Sequence, residues 1–263
     1  MPLHYFFFFN IFEWHFGCWS RKGLFIMATH FPNGISNRTK GHPLFNYPYM
    51  DPTKFYTYFD DFFEFHAGIY TITTTEAGGG SASEAITSGE GGQLLITNDD
   101  ADDDSDFLQL KGESFKWNAS KRMFFTAKFK TNDVTQSDIV MGLQVTDTTP
   151  LDIDDGIYFL KLDGDNTPDF IVEKDNDSSL SVVQMNAMED DTFVTLSFEY
   201  DPLDVATGGS VFRVYQDDVQ VGEVTSTTNA PDDEELTLSF GIQNGAAAAK
   251  TLTIDFILAA VER

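Results

Sequence analysis

Short runs in which apolar and polar residues alternate recur along this chain from about Phe55 to its last residue. The clearest are Val194, Leu196, Phe198, Tyr200, then Leu236, Leu238, Phe240, Ile242, and finally Leu252, Ile254, Phe256, Leu258. Thr, Ser, Asp or Gly mostly fills the positions between them, so each run has an apolar face and a polar one. A period of two is the signature of a half-buried antiparallel strand.

By this reading strands are expected at 55–65, 70–75, 93–97, 107–110, 124–130, 139–145, 157–162, 170–173, 193–200, 211–215, 219–224, 236–243 and 251–261. Gln216, Asp217 and Asp218 make the link between two of these runs short enough for a compact hairpin. Asn244 and Gly245 supply turn chemistry, and Ala246 to Ala249 is too short for an independent helix. Residues 77–92, rich in Gly and Ser, read as a flexible segment or a long turn. About a dozen strands without a long helical pattern imply an all-β fold, a two-layer antiparallel sandwich of jelly-roll type.

Two segments precede the strand ladder. Ten of residues 1–26 are aromatic, and both Trp14 and Trp19 lie there with Cys18, the chain's one cysteine. A secretory leader carries its positive charge ahead of the apolar stretch, whereas Arg21 and Lys22 come last and no A-x-A site follows. Composition becomes ordinary at Met27, so the native chain is expected to start there, with residues 1–26 spurious or outside the core. Residues 27–54 hold Pro32, Pro43, Pro48 and Pro52, spaced too closely for a helix. They read as an extended arm whose aromatic anchors, Phe31, Phe45, Tyr47 and Tyr49, bind a partner protein; residues 55–263 form the sandwich.

Charge narrows the choice of partners. With 42 acidic against 16 basic residues the formal net charge is -26, which repels phosphate backbones and anionic bilayers. Nucleic acid and membrane are therefore excluded as partners. No stretch approaches the roughly 18 apolar residues that span a bilayer.

The chemistry of hydrolysis finds little support. A retaining glucanase on such a sandwich places carboxylates on one strand as E-x-D-x-x-E, because a period of two aims them at one cleft. The nearest text, Glu173, Lys174, Asp175, Asn176, Asp177, Ser178, ends in Ser where the last Glu should stand. Of His4, His15, His30, His42 and His66 only the last falls within the ladder, and no G-x-S-x-G occurs. H-E-x-x-H, C-x-x-C and G-x-x-x-x-G-K-[ST] are likewise missing. Catalytic residues and cofactors are accordingly expected to be none, with calcium the one metal in view.

Asp163, Asp165 and Asp169 place hard oxygen ligands in one short turn, with Asp152, Asp154 and Asp155 in the turn before it. The alternative is a solvated Asp/Gly turn, since the EF-hand spacing is absent. Residues 99–106, DDADDDSD, read as a solvated loop because crowded like charges resist burial. Trp117 offers a ring on which a sugar could stack, or a core side chain beside Phe115. The N-x-[ST] triplets at Asn37, Asn118 and Asn176 matter only in a eukaryotic secretory protein.

The aromatic opening strand with Asp60 and Asp61, "DTFVTLSFEYD", "FRVYQDDVQVGEV" and "LTIDFILAAVER" resemble concanavalin A-like (laminin G-like) sandwiches. That resemblance implies that the first and last strands are neighbours. From Met27 on, "MATHFPNGISN", "DPTKFYTYFDDF", "TITTTEAG", "GESF", "TQSDIVMGLQVTDTTPLD" and "PDDEELTLSFGIQNG" resemble uncharacterised proteins of marine tailed phages. This implies a virion-associated, non-enzymatic sandwich that binds neighbouring virion proteins or itself. The alternative is a carbohydrate-binding, lectin-like module, with calcium assisting.

Overall fold

The computed structural model describes residues 52–178, 182–204 and 208–263. Phe31, Phe45, Tyr47 and Tyr49, with the rest of the expected arm before Pro52 and all of residues 1–26, lie outside the described residues.

Fifteen strands form two antiparallel sheets among the described residues. They are β1 (Phe55–Asp60), β2 (Tyr70–Thr75), β3 (Ser83–Thr87), β4 (Gln93–Thr97), β5 (Ser105–Leu110), β6 (Met123–Thr131), β7 (Ser137–Gln144) and β8 (Gly156–Lys161). The series continues with β9 (Asp169–Glu173), β10 (Val182–Gln184), β11 (Val194–Asp204), β12 (Gly209–Gln216), β13 (Val219–Val224), β14 (Thr237–Asn244) and β15 (Thr251–Glu262). The eight-stranded sheet runs β13–β12–β11–β6–β15–β4–β3, with β1 on the far half of β15. Its seven-stranded partner runs β10–β9–β8–β7–β14–β5–β2.

The first and last strands are neighbours, with Phe59 opposite Leu258 and Asp60 opposite Ile257. β1 ends well before Phe65 because the Asp60 Oδ1 accepts the Phe62 N–H at 2.8 Å and Phe62 adopts a positive φ of 47°. The turn drives the Phe62 ring inward, where it meets Phe240 edge-on at 6.3 Å.

Alternation supplies the core. Val194, Leu196, Phe198 and Tyr200 of β11 and Leu238, Phe240 and Ile242 of β14 all point between the sheets. Phe198 sits at its centre, with ring centroids of Phe170, Phe125, Phe159 and Phe212 at 5.3, 5.6, 6.2 and 6.5 Å. In β15 the expected register holds only to Ile254. A bulge between Ile254 and Phe256 shifts the pairing with β6, so Ile257, Ala259 and Val261 face the core while Phe256 and Leu258 turn partly outward.

The Gly/Ser-rich stretch is also more ordered than its composition implies. Ser83–Thr87 pairs with β4 as an edge strand, with Glu84 opposite Ile96. Val182–Gln184 is a second short edge strand, on β9.

Candidate functional site

The outer face of the seven-stranded sheet is where the fold leaves a cleft among small polar side chains. Along β5, β7 and β8 the outward positions are Phe107, Val140 and Tyr158, and they are not bare. Residues 146–155 fold back over them, and Ile153 joins these three and Ile171 in a small apolar cluster. Glycines make this close approach possible. A Cβ on Gly142 would lie 2.5 Å from the Tyr158 Cα, and one on Gly241 would lie 2.4 Å from the Phe107 ring.

Hydrogen bonds fix the same loop. Gln109 Oε1 accepts the Asp147 N–H at 3.0 Å, and its Nε2 donates to the Val145 carbonyl at 3.2 Å. Gln144 Nε2 donates to the Pro150 carbonyl at 3.2 Å. Asp147 Oδ1 accepts the Thr149 N–H at 2.7 Å and its hydroxyl at 2.9 Å. The backbone bond first, then the hydroxyl, holds the Asp147 carboxyl below the usual range.

Beside this loop lies a cleft of about 170 Å³. Thr73 and Thr75 of β2, Ser105 of β5 and Gln243 of β14 line one side, and Thr148 to Asp152 line the other. Phe107, Pro150 and Leu151 give it an apolar floor. Asp152 is the one titratable group on its wall. Hydroxyls and amides over an apolar floor match the alternating polar and C–H surfaces of a sugar ring.

The E-x-D-like segment cannot serve this cleft as a catalytic strand. Glu173 ends β9 and accepts a short hydrogen bond from the buried Tyr158 hydroxyl, while burial pushes its carboxyl up. Lys174 to Asp177 is a tight turn with positive φ at Asp175 and Asn176, so a period of two no longer applies. Lys174 is held there by Asp233 at 2.9 Å and by Asp232.

Trp117 does not present a ring to solvent. It is 4% exposed, with Tyr200 edge-on at 5.3 Å and Phe212 stacked at 6.4 Å. The sugar-stacking expectation is thereby corrected, because the apolar environment between the sheets takes the indole.

Asp163, Asp165 and Asp169 do not gather either. Asp165 Oδ1 caps its own turn, accepting the N–H groups of Asn166 at 2.6 Å and Thr167 at 3.0 Å. The Asp163 N–H donates to Asp138 Oδ1 at 2.6 Å, and Asp169 opens β9. These bonds hold the turn, and the three carboxylates form no converging group among the described residues.

Carboxylates converge elsewhere, where the sequence reads as a solvated loop. Glu76, Asp99 and Asp104 bring one oxygen each within 4.8 Å of one another, the one such group among the described residues. Asp104 and Asp106 are both 0% exposed, because strand alternation points them inward with Leu108. Asp106 lies in register with Thr74 and takes its hydroxyl on Oδ1 at 2.8 Å. Burial, reinforced by the Glu84 carboxyl against it, pushes Asp106 up to about 7.

Sequence reasoning missed both places. The outward Thr73 and Thr75 are legible in "TITTT", but nothing in the text says that loop 146–155 comes to lie beside them. For the acidic group, the alternation Asp104, Asp106, Leu108, Leu110 is a signal that could have found it.

Compared by sequence, the chain matches no family profile and no curated protein. Compared by structure, it is similar to an endo-1,3-beta-glucanase from Streptomyces sioyaensis, with a TM-score of 0.56 and 12% identity over 80% of this chain and 98% of that one. A protein of unknown function from Shewanella oneidensis MR-1 aligns at 0.54 with 17% identity, over 80% and 87%. The Emp47p carbohydrate recognition domain aligns at 0.51 with 15% identity, over 81% and 98%. At such identities the likeness is one of fold: the chain is a concanavalin A-like jelly-roll sandwich.

Proposed function

We propose that this protein is a glycan-binding, lectin-like sandwich that does not hydrolyse what it holds. The observation that carries this reading is the cleft between loop 148–152 and strands β2, β5 and β14. Its wall offers hydroxyl, amide and backbone groups suited to sugar hydroxyls, on a sheet against which residues 146–155 pack. Glycoside hydrolysis needs two carboxyls flanking one bond, and this wall supplies Asp152 alone. The glucanase and the recognition domain lend the fold only, so the reading rests on the cleft.

A glycan array with the full chain should give binding to a restricted set of oligosaccharides. Gln243→Ala and Asp152→Ala should each weaken the best ligand by about five- to tenfold, the worth of a hydrogen bond or two. Trp117→Phe should leave that affinity unchanged. Loss on Trp117→Phe with no effect at Gln243 would move the site off this sheet, and release of reducing ends would overturn the non-hydrolytic part.

A second reading, placement on a virion through residues 28–54, is favoured by apolar surface at the far end of β1. Phe59 and Phe63 are 58% and 75% exposed there, an unusual place for two large rings in so polar a chain.

A further inference from the structure

We infer that the group formed by Glu76, Asp99 and Asp104 is a binding site for a hard divalent cation, of the calcium class, at the edge where β2 and β3 face each other. The site is built from both sheets. Asp104 comes from the approach to β5, Glu76 follows β2, and Asp99 follows β4. Every side-chain ligand is a carboxylate oxygen, the donor that such cations prefer.

The acidic group is not alone in asking for a ligand. Asp106, fully buried, has no N–H or hydroxyl donor to its Oδ2, and the Glu84 carboxyl of β3 lies against it. It shares the inward face of Asp104 two residues along the chain. Glu76 Oε2 is likewise buried and without a partner, while its Oε1 is used by the Ala82 N–H at 2.5 Å. Buried acceptors left unpaired are rare in native structures and call for an ion or a proton. No lysine, arginine or histidine among the described residues pairs with Glu76, Asp99, Asp104 or Asp106.

The surrounding backbone is shaped to the carboxylates. The Ala77 N–H donates to Asp104 Oδ1 at 2.6 Å and the Ala101 N–H to its Oδ2 at 3.0 Å, which fixes that carboxylate. Asn98, also buried, donates from Nδ2 to the carbonyls of Asp104 at 2.9 Å and Ile242 at 3.1 Å, tying the loop to β14. Gly80 passes directly over Asp99, where a Cβ would stand 1.6 Å from Oδ2. The "GGG" of residues 78–80 thus lets one loop close on the carboxylates of the other.

The test uses metal-stripped full-length protein titrated calorimetrically with calcium chloride at constant ionic strength, so that screening of the acidic surface does not register. One saturable calcium per chain is expected. Glu76→Gln and Asp99→Asn should each weaken it at least about tenfold, the loss that altering even an outer partner of a metal ligand commonly produces. Gly80→Ala removes no charge and should weaken binding as well, while Asp165→Asn should leave it intact. Circular dichroism of each variant establishes that it is folded, and the half-buried Asp99 and the glycine cover the case in which Glu76→Gln is not. Absence of saturable binding in the wild-type chain, equal affinity in the folded variants, or loss on Asp165→Asn would overturn the assignment.

Discussion

Lys161 gives the sharpest test of how the two sheets meet. It is the last residue of β8, and alternation from Phe159 turns it between the sheets, where it is 2% exposed and donates a short hydrogen bond to the Ser137 carbonyl. Asp138, Asp163, Asp133 and Asp165 favour its charge, but burial outweighs them and lowers the ammonium to about 8. An unfolded lysine titrates near 10.5.

Between those values the unfolded chain holds the proton and the folded one does not, so stability rises with pH through this window. At about 1.4 kcal/mol per unit, raising pH from 7.5 to 9.5 should stabilise the fold by about 2 kcal/mol. The buried tyrosines act in the opposite sense but later. Burial pushes Tyr58 up to about 12, so its contribution is present below the unfolded value near 10 and is lost only above it. Urea unfolding of the wild type should therefore show the midpoint climbing by roughly 0.5 to 1 M across that range. Lys161→Met keeps the length, removes the charge, and should flatten the profile while leaving the protein at least as stable at pH 7. A wild-type midpoint that is flat or falls from 7.5 to 9.5, or the same climb in the variant, would refute the burial argument.

Phe198→Ala opens the aromatic centre of the sandwich and should cost about 3 to 5 kcal/mol, lowering the thermal midpoint by on the order of 10 °C; a loss below about 1 kcal/mol would mean the rings do not form one core. For the virion reading, deleting residues 28–54 should leave a soluble, folded sandwich that no longer joins particles, and normal assembly of that truncation would end it.

What the sequence conveyed well was the part of the fold governed by a period of two. Val194 to Tyr200 and Leu236 to Ile242 point inward as their spacing requires. Two physical effects hid the rest. A bulge adds one residue without leaving a mark in composition, so Phe256 and Leu258 looked like core while Ile257 and Ala259 took that place. Tertiary environment also overrides residue type: Ser83 to Thr87 forms a strand because β4 offers an edge, and Asp106 is buried because its strand is, with Asp104 just ahead of it buried as well. The cleft was illegible because Thr73, Gln243 and Asp152 lie far apart in sequence and only the crossing of strands unites them.

The central claim, a glycan seated beside loop 148–152, is tested most directly by two-dimensional amide NMR of the 29.4 kDa chain titrated with the best oligosaccharide from the array. The account predicts saturable shifts concentrated at Thr73, Thr75, Ser105, Thr148 to Asp152 and Gln243, with the sugar unchanged after prolonged incubation. Shifts clustered on the outer face of the eight-stranded sheet, or a cleaved sugar in the tube, would contradict it.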